Sequence, residues 1–417
     1  MCIVSPSNAQ QADTLRASPG GAQPPDTVQS QTPYGAAPSE SPADTGQSRP
    51  SVGTAQPELP FVQGGIYDKP FITRLGGRTS IGGYGDFQFR TERENGVTEE
   101  VTFRLPRFNL FTYSVVSDRV RLSSEIEFEH GGEEIKIEYG IIDFEIREEL
   151  NLRAGIILSP LGKFNLAHDS PQNELTDRPL VVTEIIPSTL SEPGMGFWGA
   201  FYPSPNARIT YELYAVNGFN EGIINGAATR IREGRGDLEE DNNNVPALVG
   251  RIALSPLRGM ELAGSFHMGQ YNVSTEEGVQ VADREYLKIF GVDWEYRRGP
   301  FSFLGEYAHA GIGIPSSLTG FLAGSQQGLY AQAGWRFLDG LTAALPHSSL
   351  SGVVRMDAVD FDTAIKGDAL QRVTFGLNFR PAPDTVFKLD YQINGTFDGV
   401  NNKTPGRAFL FSMATYF

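Results

Sequence analysis

AFLFSMATYF, residues 408–417, is the stretch that decides the fold. In an extended chain Phe409, Phe411, Met413, Thr415 and Phe417 share one face, while Ala408, Leu410, Ser412, Ala414 and Tyr416 share the other. The stretch ends on an aromatic residue. A soluble domain gains little from such an ending. The closing strand of a membrane barrel gains from it: that strand pairs with the first one, turns apolar groups to lipid and leaves a ring at the interface. An ordinary buried edge strand shows the same alternation, so the rest of the chain must separate the two readings.

Composition narrows the choice. The chain has 417 residues and a net charge of −16, with 47 Gly, 27 Phe and 15 Tyr. Glycine suits tight turns, and the aromatics suit strands and interfacial girdles. No apolar run reaches the roughly 18 residues of a membrane-spanning helix. A barrel needs none, since only every second residue faces lipid, so a mean hydropathy of −0.25 does not oppose insertion. The excess of carboxylates argues against nucleic acid as a partner. The single cysteine, Cys2, excludes internal disulfides and thiolate metal sites.

Chemistry is not indicated. The histidines at 130, 168, 267, 309 and 347 share no metal-ligand spacing. Ser265 and His267 fall on one strand face without a third partner. GGYG at 82–85 lacks the lysine and helix of a phosphate loop. GRGDLEEDNNN at 234–244 lacks calcium-loop spacing and reads as a solvated loop tip. No enzyme activity, cofactor or metal is expected.

Residues 1–9 read as a possible signal-peptide remnant, with Ser7-Asn8-Ala9 as its small-residue end. Residues 10–60, rich in Pro, Ser, Gly and Gln, offer too little apolar surface to offset ordering entropy. They are expected to form a disordered periplasmic tail that the barrel does not need. Residues 61–77 are a lead-in, and 78–417 the expected transmembrane β-barrel.

Within that region sixteen candidate strands begin near residues 78, 102, 119, 133, 149, 194, 207, 246, 260, 285, 300, 327, 348, 371, 385 and 407, with eighteen as the alternative count. Loops near 91–101, 130–132, 159–193, 219–245, 272–284, 311–326, 361–370 and 395–406 alternate with shorter turns such as Ser117-Asp118, YPSPN at 202–206 and RPAPD at 380–384. This rhythm predicts an all-β, antiparallel up-and-down barrel with external loops and periplasmic turns; a Greek-key sandwich would not produce it. About sixteen strands enclose a water-filled lumen. The expected lumen wall carries Arg121, Arg153, Arg208, Arg251, Arg336, Arg355 and Arg372, among carboxylates such as Glu125, Glu306 and Asp390. Outward positions include Ile209, Leu213, Phe303, Phe375 and Leu389. A dry core would not tolerate so many inward charges.

The longest connection, 159–193, holds the apolar run LVVTEII at 180–186 and prolines at 171, 179, 187 and 193. Long loops without a task are uncommon. Its apolar run could pack on the inner wall, so it is expected to fold into the lumen and constrict it. Lys163, His168, Asp169, Glu174, Asp177, Arg178 and Glu184 are the expected constriction residues. Five acidic residues (with Glu192) against two basic ones predict a weak cation preference. A loop folded over the barrel mouth is the other reading.

The segments LRAGIILSPLGKFN (152–165), HDSP (168–171), DRPLV (177–181), IIPSTLSEPG (185–194) and GMGFWGAFYP (194–203) resemble the phosphate-selective porin O and P family of bacterial porins. The terminal stretch resembles the C-terminal signature of bacterial outer-membrane proteins, in which Phe409, Phe411, Met413 and Phe417 would form the insertion signal. The resemblance implies a homotrimeric porin of sixteen strands in the bacterial outer membrane, its third external loop inside the lumen. It implies outer-membrane lipid and the barrel-assembly machinery as partners, and passive diffusion of small anions, cations or polar solutes. The family's phosphate-selective members line the channel with dense basic residues, which the acidic third loop here does not match. A plugged receptor or adhesin, or a barrel enzyme, is the alternative for the same architecture.

Overall fold

The computed structural model describes residues 73–76, 78–225 and 228–417. The expected signal remnant, the tail and most of the lead-in lie outside the described residues. A short strand, Thr73–Gly76, pairs with the start of the barrel. The barrel strands are β1 (Thr79–Glu94), β2 (Val97–Val115), β3 (Val120–Glu129), β4 (Glu134–Arg147), β5 (Leu150–Leu158), β6 (Ser191–Ser204), β7 (Ala207–Val216) and β8 (Ala247–Ser255). They continue as β9 (Met260–Gln270), β10 (Tyr286–Arg298), β11 (Phe301–Ile312), β12 (Ser325–Asp339), β13 (Ser349–Asp360), β14 (Ala369–Ala382), β15 (Thr385–Phe397) and β16 (Lys403–Tyr416). Each pairs antiparallel with its chain neighbours, and β1 pairs with β16 from Tyr84↔Tyr416 to Glu94↔Gly406. The sheet therefore closes, with no free edge.

The period-two pattern is carried through the whole barrel. Glu125, Asp143, Glu306 and Asp390 are buried on the inside, whereas Phe303, Phe375 and Leu389 are exposed on the outside. So extensive an exposed apolar surface has no counterpart on a soluble monomer and matches a lipid-facing belt. At the short-turn end it finishes in cross-strand ring pairs: Phe201 with Tyr211 at 6.0 Å, Phe301 with Trp335 at 6.4 Å and Phe379 with Phe387 at 6.0 Å.

Phe417 completes this girdle. Its N–H donates to the Gly83 carbonyl at 3.0 Å, and the Gly83 N–H donates back at 3.2 Å. Its ring stacks on Phe108 at 5.4 Å. Gly83 is required beneath it, since an added Cβ would come within 2.5 Å of the Phe417 ring and 2.3 Å of the Asn109 carbonyl. Deleting Phe417 removes two seam hydrogen bonds and the stack. It is expected to slow barrel closure several-fold, measured as the appearance of heat-modifiable gel mobility in detergent or vesicles. Unchanged assembly kinetics would remove Phe417 from the closing step.

Four loop expectations need correction. The first loop is not 91–101. β1 and β2 run on past the barrel rim and meet at Asn95-Gly96, whose φ values of 49° and 85° form the hairpin turn that suits twisted strands. The loops expected at 311–326 and 395–406 are likewise trimmed by strand, to 313–324 and 398–402. The fourth loop, expected outside, turns inward: Phe219, Ile223 and Ile231 are buried in one cluster with the third loop. Its apolar residues need a surface to bury against, and the lumen supplies it. The 234–244 stretch is only partly the solvated tip expected: Gly234 is buried, whereas Leu238 is exposed.

Candidate functional site

The lumen is built around the connection between β5 and β6. This third loop carries two short helices, α1 (Lys163–Leu166) and α2 (Leu180–Glu184). On one side Val181, Val182, Ile185 and Ile186 are fully buried, in a cluster with Leu287, Ile289, Ala308 and Ala310 of the β10–β11 wall. Each such side chain contributes about 1.5–3 kcal/mol on burial. These are upper estimates, because the unfolded chain is itself partly compact.

On the other side, inward charges hold the loop's backbone. The Thr176 N–H donates to Asp390 at 2.7 Å and the Leu180 N–H to Asp357 at 3.0 Å. Lys388 donates to the Ser170 carbonyl at 2.7 Å, Asn378 to the Glu174 carbonyl at 2.7 Å and Arg355 to the Asp177 carbonyl at 3.0 Å. The loop's two ends converge on Glu192, which accepts from Ser159 and lies 3.0 Å from His267 Nε2. Ser265 instead accepts from the Gly162 N–H at 3.1 Å, so Ser265 and His267 serve the loop separately.

Several cavities are lined by the loop, among them one of about 230 Å³ beside Leu180 and one of about 220 Å³ beside Lys163 and Leu166; two others hold most of its charged residues. The larger, about 830 Å³, lies on the long-loop side, and a smaller one of about 90 Å³ lies on the short-turn side. Asp177 is the one described residue that lines both. Its carboxylate accepts from Arg90, accepts from Gln392 at 2.8 Å and lies 3.6 Å from Arg372. Burial pushes this carboxyl up, but Arg90, Arg372 and the Gln392 amide outweigh burial and hold it at about 2. Burial and neighbouring Arg107 lower Arg178 to about 10, so it remains cationic at neutral pH.

The expected constriction residues divide. Asp177, Arg178 and Glu184 line the larger cavity; Lys163, Glu174 and Asp177 line the smaller one. His168 and Asp169 line neither. His168 is buried against Glu138, and Asp169 accepts from the Tyr416 hydroxyl at 2.9 Å. Lys163 pairs with Glu295, and Glu174 accepts from Gln332 at 2.9 Å. Most of the loop's carboxylates thus face partners on the wall, so the loop's net charge does not describe what the lumen sees.

The wall arginines are similarly committed. Arg153 pairs with Asp143 at 2.8 Å, Arg251 with Asp293 at 2.6 Å and Arg355 with Asp357 at 2.9 Å. Arg121 pairs with Glu145, Arg208 lies 3.8 Å from Glu261, and Arg336 sits at the short-turn rim beside Asp339. Arg372 reaches Asn394 at 3.0 Å and lines the larger cavity.

Sequence reasoning missed Arg90, Arg104, Arg107, Arg232 and Arg235, all of which line that cavity. Arg104 and Arg107 are three apart, an odd spacing that strict alternation sends to opposite faces. A bulge between Asp86↔Arg107 and Gln88↔Arg104 brings both inward. Pro106 within the strand was the available signal. Arg232 donates to the Thr183 and Ser188 carbonyls, and Arg235 to the Thr189 carbonyl, binding the fourth loop to the third.

No family model matches the chain. An uncharacterized protein of Aquifex aeolicus (strain VF5) is 26% identical over 343 residues, spanning 75% of this chain and 74% of that one. In fold the chain is similar to OprB of Pseudomonas putida (TM-score 0.55, 9% identity, 82% of this chain and 94% of that one). It is also similar to the anion-selective porin from Comamonas acidovorans (TM-score 0.53, 9% identity, 81% and 99%). The outer membrane channel DcaP of Acinetobacter baumannii gives a TM-score of 0.51 at 12% identity, over 83% and 99%. The barrel is of the outer-membrane porin type; at these identities the likeness is one of fold.

Proposed function

We propose that the chain is an outer-membrane porin, a homotrimer like the family it resembles, that passes small hydrophilic solutes by diffusion. The third loop sets the narrowest point, at Asp177. The observation that carries this reading is the pair of cavities meeting at that one side chain. Porins and a channel among the similar folds support it. Phosphate selectivity is not part of the reading.

The selectivity we infer is a weak preference for anions, in place of the cation preference that the loop's summed charge suggested. Eight basic and six acidic side chains line the larger cavity. Arg104 reaches a Gln88 oxygen, and Arg232 and Arg235 reach backbone carbonyls; none of the three pairs with a carboxylate among the described residues. Their charge is left to act on solutes in the pore. Replacing Arg232 and Arg235 with Gln is expected to move the zero-current potential towards cation preference at about 0.1 M salt, where the Debye length is about 10 Å. The shift should fade near 1 M, where that length is about 3 Å. An unchanged potential at low salt would place these arginines outside the conducting path.

A further inference from the structure

One wall of the larger cavity carries buried polar atoms of both signs that find no hydrogen-bond partner among the described residues. Arg178 of the third loop donates through Nη1 to the Thr189 hydroxyl at 3.2 Å. Its Nε and Nη2 atoms are buried and unpartnered, and it pairs with no carboxylate among the described residues. The charges that bear on it most are Arg107 of β2, Glu127 of β3 and Glu138 of β4. Arg107 Nε lies 3.2 Å from a Glu127 carboxylate oxygen, yet the contact is misaligned, and neither atom makes a hydrogen bond. Glu138 is taken by His168. Ser188 is 1% exposed, and its hydroxyl is unpartnered as well. Arg107, Glu127, Arg178 and Ser188 all line the cavity.

Buried donors and acceptors without partners are costly, charged ones most of all. Orphans of one sign would call for a simple ion. A simple anion on Arg178 would also meet Glu127, however, and a simple cation on Glu127 would meet both arginines. Water can solvate each atom but carries neither charge. A molecule that holds a carboxylate and an ammonium one carbon apart answers both signs at once. We propose that this wall is a subsite for the zwitterionic head of an α-amino acid. Nε and Nη2 form one edge of the Arg178 guanidinium, the kind of edge that grips a carboxylate with two parallel charge-assisted hydrogen bonds. The ammonium then donates to Glu127 and to the Ser188 hydroxyl, both acceptors. This inference deepens the channel reading and rests on it: the subsite holds solutes on their way to Asp177.

The test uses the purified chain in detergent with three probes: L-alanine, propionate, which lacks the ammonium, and ethylamine, which lacks the carboxylate. Saturation-transfer NMR, referenced to protein-free micelles, reads binding without requiring conduction. L-alanine should show several-fold more transfer than either of the others. Arg178→Gln and Glu127→Gln should each lower the L-alanine signal several-fold, whereas Arg178→Lys should retain part of it. Variants are compared only where they show native heat-modifiable mobility. Should the Gln variants not assemble, Ser188→Ala, which removes only a hydroxyl, carries the comparison with a smaller loss. Propionate binding as strong as that of L-alanine would make the wall a plain anion site and overturn the proposal. An L-alanine signal unaltered in every assembled variant overturns it too. Conductance recorded in parallel separates the subsite from the channel reading. A conducting barrel that does not bind L-alanine loses the subsite alone, and a silent barrel that binds it loses the channel alone.

Discussion

Replacing Val181 and Ile185 with aspartate is expected to raise single-channel conductance several-fold. Both side chains are fully buried where the third loop meets the wall. A carboxylate there would sit within an apolar cluster that includes Ala308, Tyr330 and Val359, at a cost of several kcal/mol. The hydrophobic half of the docking surface is then lost, and backbone anchors such as Asp357 and Asp390 hold the loop from one side only. The sixteen strands keep their ladder, because the loop adds no strand to it. The variant should therefore retain heat-modifiable mobility while its lumen widens. A variant of native mobility with wild-type conductance would show that the loop does not constrict the pore.

Asp177→Asn should have the largest effect on selectivity. It removes one negative charge where the two cavities meet, leaves Arg372 without its carboxylate and leaves Arg90 paired with Glu92 alone. The amide is similar in size, and the loop keeps its bonds through the Asp177 carbonyl and the Thr176 N–H. Conductance should change little, whereas the zero-current potential at low salt should move strongly towards anions. Protonation is not a substitute for this mutation near neutral pH. The folded carboxyl sits at about 2, below the roughly 3.9 of an unperturbed Asp. A depressed value makes the contact's contribution to docking complete above the unperturbed value and lost only as pH falls through about 2. Wild-type conductance should therefore not rise between pH 7 and about 4. A rise near pH 5 would mean that another group holds the loop.

Much of the barrel was legible because lipid and lumen impose a period of two on every strand. The strand starts at 207, 260 and 385 coincide with those read from the sequence. Alternating loop length separated barrel from sandwich. The failures are local. Asn95-Gly96 turns the chain in two residues, so the polar character of 91–101 belongs to strands rising beyond the rim. The bulge at Pro106 changed the phase of β2, which hid Arg107 or Arg104 from strict alternation. The site was less legible than the fold. The apolar run at 180–186 did announce a docked loop. Which charges face solvent and which face a partner depends on residues distant in sequence, such as Tyr416 beside Asp169 or Arg90 beside Asp177. The apolar residues at 219, 223 and 231 were available as a sign that the fourth loop also turns inward.

The most direct measurement is planar-bilayer recording of the purified wild-type chain. A porin with the described lumen predicts steady stepwise conductance that grows with bulk salt concentration. A barrel that shows native heat-modifiable mobility and inserts into the bilayer, yet stays electrically silent at every salt concentration, would contradict an open path past Asp177 and with it the channel function.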